Sequence, residues 1–544
     1  MKVFKKLITL LLVICLVFSF AACNKTSSSQ LNLNVCLSSE PETIDPALNS
    51  TIDAAVMINH MFEGLMKYKD DGKGNATLIT GQAKSYSVST DGKVYTFTLR
   101  DDAKWSDGKA VTAADFVYSW QRLINPETMA NYGYILEPVQ NAMSIMYGEK
   151  LPEELGVKAI DEKTFQITLE EPCSYFLDIC AFPATFPIRQ DIIAANGDQW
   201  TFNASTYIGN GPYKMTKWVH NSYIELAKNE NYYDYAKLGP VSIKFTLMDD
   251  SNAMLAAYNS GELNFIQSVP VGEIKTLLND KKLTLAKSLS TYAILFNNAS
   301  APFDNAKVRN AFLLAIDRNY ITDTVLGTEQ TPASAFVPYG IFDTKGTKGK
   351  DFRTVGGDNY SVAAADYKSN CDKARALLKD AGYEGGQGFP VVEYMYVSSS
   401  ENKAIAEALQ NMWQTELGVT VKLVNQEGSV YGESLYTGAY QIAPFYWAPD
   451  YNDPISFLDI WVTDGMNNVA FYSNAAYDSL IQQVKDSSKT SQRMSLMHQA
   501  EKILIDDAVI APVYFFTQPY MFNSDIKGMY YSPMGYFFFT YCTK

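Results

Sequence analysis

The sequence predicts an α/β protein of two or three domains in which a smaller α+β unit interrupts the first. Three observations predict it. The chain has 544 residues, 47% of them hydrophobic, whereas one core rarely grows past about 300 residues. Two hairpin-like pairs with period-two alternation fall between residues 66 and 205. After residue 290, helical and extended patterns alternate at lengths suited to a second α/β lobe.

The chain starts with an export signature. Lys2, Lys5 and Lys6 precede the apolar run Leu7 to Ala22, which reads as a signal peptide over residues 1–22. Phe20, Ala21 and Ala22 lead into Cys23, and small residues before a cysteine give a lipoprotein signal peptidase access to the bond. Cys23 is therefore the candidate lipidation site, and residues 23–30 form a polar tether. Two acyl chains there hold a protein to a membrane lastingly. No later stretch reaches membrane length, so the body is expected at the extracellular face of the cytoplasmic membrane. Removal of Met1 to Ala22 takes three of the 45 basic residues and leaves a net charge of -17. That excess repels a nucleic-acid backbone.

Leu31 to Cys36 alternates and reads as the first strand. Glu40-Pro41-Glu42 and Asp45-Pro46 bracket an extended crossing, and Ala54 to Met66 reads as a helix with Met57, Met61 and Leu65 on one face. Tyr86, Val88 and Val94 to Leu99 flank the turn Thr90-Asp91-Gly92-Lys93, a hairpin. Thr112 and Asp115 form a capping box for a helix carrying Phe116, Trp120 and Leu123, stopped by Asn125-Pro126. Gly156 to Ile160 and Thr164 to Leu169 repeat the hairpin pattern. Strands at Ser222 to Leu226 and Val241 to Leu247 precede a helix at Ser251 to Tyr258. Beyond the boundary near 290 come the strand Tyr292 to Asn297, a helix from Ala306 to Ile321 and a glycine-rich surface loop, Lys345 to Gly357. A helix at Cys371 to Leu378, a strand at Val391 to Val397, a helix at Ala404 to Leu417 and a strand at Val419 to Val424 follow. Val513 to Phe516 and Phe537 to Tyr541 are strong strand formers that could complete the first sheet. Five cysteines follow Cys23, namely Cys36, Cys173, Cys180, Cys371 and Cys542. An odd number leaves at least one thiol unpaired, and the fold is not expected to depend on disulfides.

The residue inventory argues against catalysis. His60, His220 and His498 are widely separated, with no spacing of a zinc pair, and no nucleophile elbow, phosphate-binding loop or dinucleotide fingerprint occurs. No metal or other cofactor is expected. The informative stretch is Pro444 to Leu458, where aromatics surround acids and prolines. A carboxylate within such an apolar rim holds an ammonium group more strongly than one on open surface. An aromatic-packed turn is the other reading that composition allows.

The order of short motifs resembles the extracellular oligopeptide-binding proteins that serve ABC importers, the large three-domain class of solute-binding protein. The resemblance runs from Glu40 to the C-terminus. It is carried by Glu40-Pro41 with Ile44-Asp45-Pro46, Phe62-Glu63-Gly64-Leu65, Ala103-Lys104-Trp105-Ser106-Asp107-Gly108 and Thr112 through Arg122. Gly209-Asn210-Gly211-Pro212-Tyr213, Phe303-Asp304-Asn305, Ala315-Ile316-Asp317-Arg318 and the Trp447 to Leu458 block continue it. The resemblance implies a two-lobed, three-domain, periplasmic-binding-protein-like fold with a hinge and an interlobe ligand cleft. Lobe one would comprise residues 31–65, 206–290 and 512–544, with 66–205 inserted in it, and lobe two residues 291–511.

By the same resemblance, Asp450 pairs with a peptide's α-ammonium in a block with Trp447 and Asn452. Main chain near Asn49, Thr51 and Asp53 and near Phe445, Tyr446 and Trp447 binds the ligand backbone, and Tyr132 or Tyr134 reaches it from the smaller domain. The implied partners are an oligopeptide and the transmembrane subunits of an ABC permease, with the receptor a monomer. Departures are informative. The aromatic that follows Asn-Gln-Glu in the family is replaced by Gly428, and two basic residues that meet a short peptide's carboxylate fall on Leu435 and Pro444. Either another cation, such as Arg189, Arg318 or a lysine, substitutes for them, or the ligand is longer, blocked or otherwise different. The cargo could then be a modified or signalling peptide, a metal chelate or another solute. The family's occasional disulfide maps to Ser290 and Ala448, both cysteines being absent.

Overall fold

Residues 30–70, 72 and 76–544 are described by a computed structural model. The expected signal peptide and Cys23 lie outside the described residues. Among the described residues, no helix is long and apolar enough to cross a membrane.

Two long strands organise the molecule. Thr284–Phe296 and Ile510–Phe522 run antiparallel at the centre of an eleven-stranded mixed sheet. On one side, Ile442–Trp447 pairs with Thr284–Phe296 and is followed by Val392–Val397 and Val421–Gln426. On the other, the far end of Ile510–Phe522 pairs with Phe265–Ile266, and Asn32–Cys36, Ser242–Thr246, Tyr223–Lys228 and Tyr213–Val219 complete the sheet. Each long strand thus belongs to both lobes. Their pairing is interrupted between Lys287 and Thr291, and an irregularity in an antiparallel ladder is a place where strands bend.

The burial pattern explains the pairing. In the first long strand, Leu289 through Phe296 is buried without alternation, as a strand covered on both faces requires. Helices Ala306–Leu314 and Ser400–Leu417 cover one face, where Phe303, Phe312 and Trp413 pack together.

Residues 83–168 carry their own sheet, in the order Ala83–Val88, Val94–Leu99, Thr164–Thr168, Val157–Asp161. Alternation puts Tyr95, Phe97 and Leu99 inward with Phe165 and Ile167. The helix Ala113–Ile124 seals them, the Trp120 ring meeting Phe165 edge-on at 5.5 Å. The Thr112 N–H donates to Asp115 Oδ2 at 2.8 Å, the half of the capping box that the spacing implied.

Several elements differ from the expectation. The first helix is Ile52–Met61, not Ala54 to Met66. Gly64 packs so closely that a Cβ there would lie 2.6 Å from the Cys180 carbonyl, and Met66 begins a strand. The helix expected to reach Ile321 stops at Leu314, because Arg318 is buried and its Nη1 takes the Leu313 and Ile316 carbonyls that a continuous helix would use itself. Phe537–Phe538 pairs with Tyr530–Tyr531 in a separate two-stranded sheet rather than in the main one. Cys173 and Cys180 flank a helix of four residues, Phe176–Ile179, and all five described cysteines are free thiols.

The expected surface loop Lys345 to Gly357 contains the helix Phe352–Gly356, with Phe352 and Arg353 buried. Arg353 Nη1 donates to Glu501 Oε2 at 2.7 Å, and both side chains are 2% exposed. Glu501 also accepts the Val337 N–H at 2.8 Å. Glu501→Ala strands a buried guanidinium and should lower the unfolding free energy by about 3 to 5 kcal/mol in urea titrations. Arg353→Met combined with Glu501→Leu should recover much of that loss, because an apolar pair leaves no charge without a counter-ion.

Candidate functional site

The site grows from the strand Ile442–Trp447. Along one edge it pairs with Thr291 through Phe296, but its other edge meets Val392–Val397 only where Ile442 faces Tyr394. Pro444 has no N–H, and its carbonyl accepts from the Tyr431 hydroxyl, which points it away from the paired edge. Antiparallel alternation then aims the Tyr446 N–H and C=O the same way. That leaves a short stretch of main chain on an open strand edge, the kind of surface that templates another strand.

The turn after Trp447 folds back on itself. Trp447 Nε1 donates to the Ser456 carbonyl at 2.7 Å, and the Asp450 N–H donates to Ser456 Oγ at 2.9 Å. Asp450 is thereby fixed at the meeting of the lobes, 8% exposed. Tyr134, from the segment between residues 66 and 205, donates its hydroxyl to Asp450 Oδ2 at 2.8 Å. Among the described residues no cation forms a salt bridge with Asp450. Burial pushes its carboxyl up to about 7, the Tyr134 hydrogen bond opposing that shift. The Tyr134 phenol is held well above its ordinary range by burial and by the adjoining carboxylate.

Phenols surround this acid. The Tyr132 ring lies 5.6 Å from Tyr134 and 4.8 Å from Phe182. Tyr436, Tyr446 and Tyr536 are within electrostatic reach of Tyr132, and Tyr536 of Asp450 itself. Asp459 is also pushed up to about 7 by burial, opposed by Lys485.

Other contacts hold the two lobes against each other. Tyr175 stacks on Tyr451 at 4.2 Å with the rings 6° from parallel. Arg493 grips Asp453 through two bonds of 3.0 and 3.1 Å, and its Nη1 donates to Ser174 Oγ at 2.7 Å. Lys485 reaches Glu137 at 2.7 Å. Ser174 and Arg493 are 319 positions apart and Glu137 and Lys485 are 348, so no local pattern signals these contacts between the lobes.

Of the residues singled out from the sequence, Asp450, Tyr132, Tyr134 and Tyr446 converge. Phe445 and Trp447 are stacked on each other and point to the opposite face of their strand, Phe445 against Trp461 at 5.3 Å. The Asn452 side chain bridges Phe342 and Gly340. Asn49 accepts the Thr51 N–H, and Thr51 caps the helix Ile52–Met61. Asp53 accepts from Gln267 at 2.6 Å and is within electrostatic reach of Tyr446 from the other lobe. Arg189 is paired with Asp107 and Asp191, and Arg318 with carbonyls and Tyr360, so both guanidiniums already have partners. Leu435 is buried. Among the described residues no group of three His, Cys, Asp or Glu could hold a metal.

Residues 77–468 match the family model described as bacterial extracellular solute-binding proteins, family 5 middle. The chain is 34% identical to the dipeptide-binding protein DppE of Bacillus subtilis, over 94% of this chain and 91% of that one. It superposes on Haemophilus influenzae OppA in complex with RPPGFSPFR with a TM-score of 0.83 and 30% identity, covering 95% and 99% of the two chains. The murein tripeptide-binding protein MppA of Escherichia coli gives a TM-score of 0.82 at 31% identity, covering 93% and 96%. The unliganded open form of MppA gives 0.70. The fall from 0.82 to 0.70 for one protein places the present structure away from the open arrangement, in agreement with the lobe-to-lobe contacts.

The closed lobes make Asp450 a pH-sensitive element. Its folded pKa of about 7 lies above the ordinary 3.8, so its contribution to stability is full below about 4 and is lost as the pH rises through 7. Asp450→Asn should therefore raise the melting temperature of the ligand-free protein at pH 8 and reduce its slope between pH 5 and 8. Asp459, Asp178, Asp115 and Glu401, all raised by burial, should contribute to the slope that remains. A scanning-calorimetry series over that range measures both effects.

Proposed function

The chain belongs to the bacterial extracellular solute-binding proteins of family 5, and we propose that it is a lipid-anchored receptor that captures oligopeptides and delivers them to an ABC permease. The observation that carries this reading is Asp450, a desolvated carboxyl group between two lobes, hydrogen-bonded by a tyrosine of the facing lobe and, among the described residues, without a cation. A peptide's α-ammonium supplies the missing charge. It donates to Asp450, and the ligand backbone adds a strand to the open edge at Tyr446, with Tyr132 and Tyr134 closing over its first residue. Main-chain bonds of this kind give affinity with little dependence on side chains, and water in the side-chain spaces keeps selection loose. Asn49, Thr51 and Asp53 approach the same cleft from lobe one, and Asn452 fixes the loop that carries Asp450.

The relatives support a peptide cargo: DppE is named for dipeptides, and Haemophilus influenzae OppA holds the nine-residue RPPGFSPFR. A longer ligand agrees with Leu435 and Pro444 standing where basic anchors were expected. The receptor performs no covalent step. A ligand that touches both lobes stabilises the closed form, and the paired long strands serve as the hinge. Diacylation of Cys23 would hold this monomer at the extracellular face of the membrane beside its permease.

Truncating one member of a desolvated charge pair costs about 2 to 5 kcal/mol, roughly 30- to 5,000-fold in affinity. Asp450→Ala should weaken binding of a free-amine pentapeptide at least about tenfold in calorimetry, and N-acetylation of that peptide should cost the wild type a comparable factor. Equal binding of acetylated and free peptides would remove Asp450 from the role assigned to it.

A further inference from the structure

The outward edge of the strand Ile442–Trp447 is taken up from one end. Ile442 faces Tyr394 of the neighbouring strand. Two residues on, the Pro444 carbonyl accepts from the Tyr431 hydroxyl. Alternation aims the main-chain groups of Pro444 and Tyr446 to this same edge. At Tyr446 no strand stands opposite among the described residues, and the residue is 45% exposed. The free stretch of edge therefore begins only past Pro444.

Tyr431 is held in place by its own helix. Gly428–Thr437 lays one face on the core cluster that contains Ala443: Leu435 is buried there, and Tyr431, one turn earlier, packs against the same cluster. A hydroxyl bonded to a strand carbonyl occupies the space that a paired strand, about 4.8 Å away, would need. Pro444 has no N–H, so its carbonyl is the one main-chain group the edge has at this position, and Tyr431 already engages it. Leu435 and Pro444 themselves stand where basic anchors were expected, so neither side chain offers a charge in its place.

We propose that Tyr431 is a length-determining residue of the ligand cleft: by engaging the Pro444 carbonyl it ends main-chain pairing at Tyr446, and ligand residues beyond that point are not held by the strand. This rests on the peptide reading above. With its ammonium at Asp450, a peptide runs along the edge from Tyr446 toward Pro444, antiparallel to Ile442–Trp447. Tyr446 is four residues from Asp450, at most about 13 Å along an extended chain, so the ligand residue that exchanges main-chain bonds with it falls between the second and the fifth. The residue two positions later comes level with Pro444, finds the acceptor engaged and leaves the sheet. The receptor then selects a free amino terminus and a short stretch of backbone and tolerates any length beyond it.

The test is calorimetry with C-terminally amidated alanine–serine peptides of two to eight residues, and with octapeptides N-methylated at one residue each, which removes a single N–H donor. Wild-type affinity should rise to at most five residues and change by less than about twofold from there to eight. Tyr431→Ala clears the Pro444 carbonyl. In that variant the octapeptide should bind about threefold or more tighter than to the wild type, and one position among the fourth to the seventh, insensitive to methylation in the wild type, should now cost about threefold or more. Dipeptide affinity should not change. Thermal unfolding checks that the variant is folded, and the wild-type length series decides even if it is not. Affinity that keeps rising beyond five residues, or a methylation scan of folded Tyr431→Ala identical to that of the wild type, overturns the role of Tyr431 while leaving the peptide reading intact. If none of the peptides binds, both readings fall.

Discussion

A carboxyl group closed away from water with no cation beside it among the described residues is the constraint on which the rest of this structure turns. Asp450 can meet that condition in three ways: by taking a proton, by opening the lobes to solvent, or by accepting a charged donor from outside. Burial has already moved it toward the first. Tyr134 moderates the cost but cannot remove it, since a phenol offers one hydrogen bond and no charge. The contrast with Asp453 is informative. That acid lies in the same block and is just as buried, but Arg493 neutralises it with two hydrogen bonds. One acid is built into the structure as a closed pair, and the other is left open.

Closure places its own demands on the surrounding contacts. The lobes touch through a stacked tyrosine pair, a hydroxyl on a guanidinium and a lysine–glutamate pair. The lysine–glutamate pair is partly exposed and so contributes modestly. Lobe cores, by contrast, rest on buried aromatic clusters and on the Arg353–Glu501 pair. The two long strands that enter both lobes give the seam between them its axis, with the irregular pairing between Lys287 and Thr291 as the compliant point.

On the proposed reading, affinity comes from an end charge and a strand edge, and selection from the lining. The lining around Asp450 is phenolic: Tyr132, Tyr134, Tyr436, Tyr446 and Tyr536 offer flat apolar faces with one polar tip each. Such walls accept varied side chains.

Periodicity and turn chemistry made the regular elements legible in the sequence. The hairpins and the capped helix after Thr112 appear where local pattern put them, and the helix read at Ala404 to Leu417 does too, starting earlier at Ser400, since backbone propensity and burial agree there. The aromatic, acid and proline block around Asp450 was legible for the same reason, its residues being near neighbours. Where the sequence misled, burial overrode the pattern, as when buried Arg318 took the Leu313 and Ile316 carbonyls just behind it or Phe352 and Arg353 drew a glycine-rich loop into the core. Residue order alone determined which segments become strands and helices and which block carries the acid. Only the tertiary structure decided that Tyr134 would meet Asp450, that Arg493 would neutralise Asp453 instead, and that Asn49 and Asn452 would serve turns. The reason is that hydrogen bonds and desolvation depend on distance in space, and the chain brings residues some 300 positions apart within 3 Å of each other.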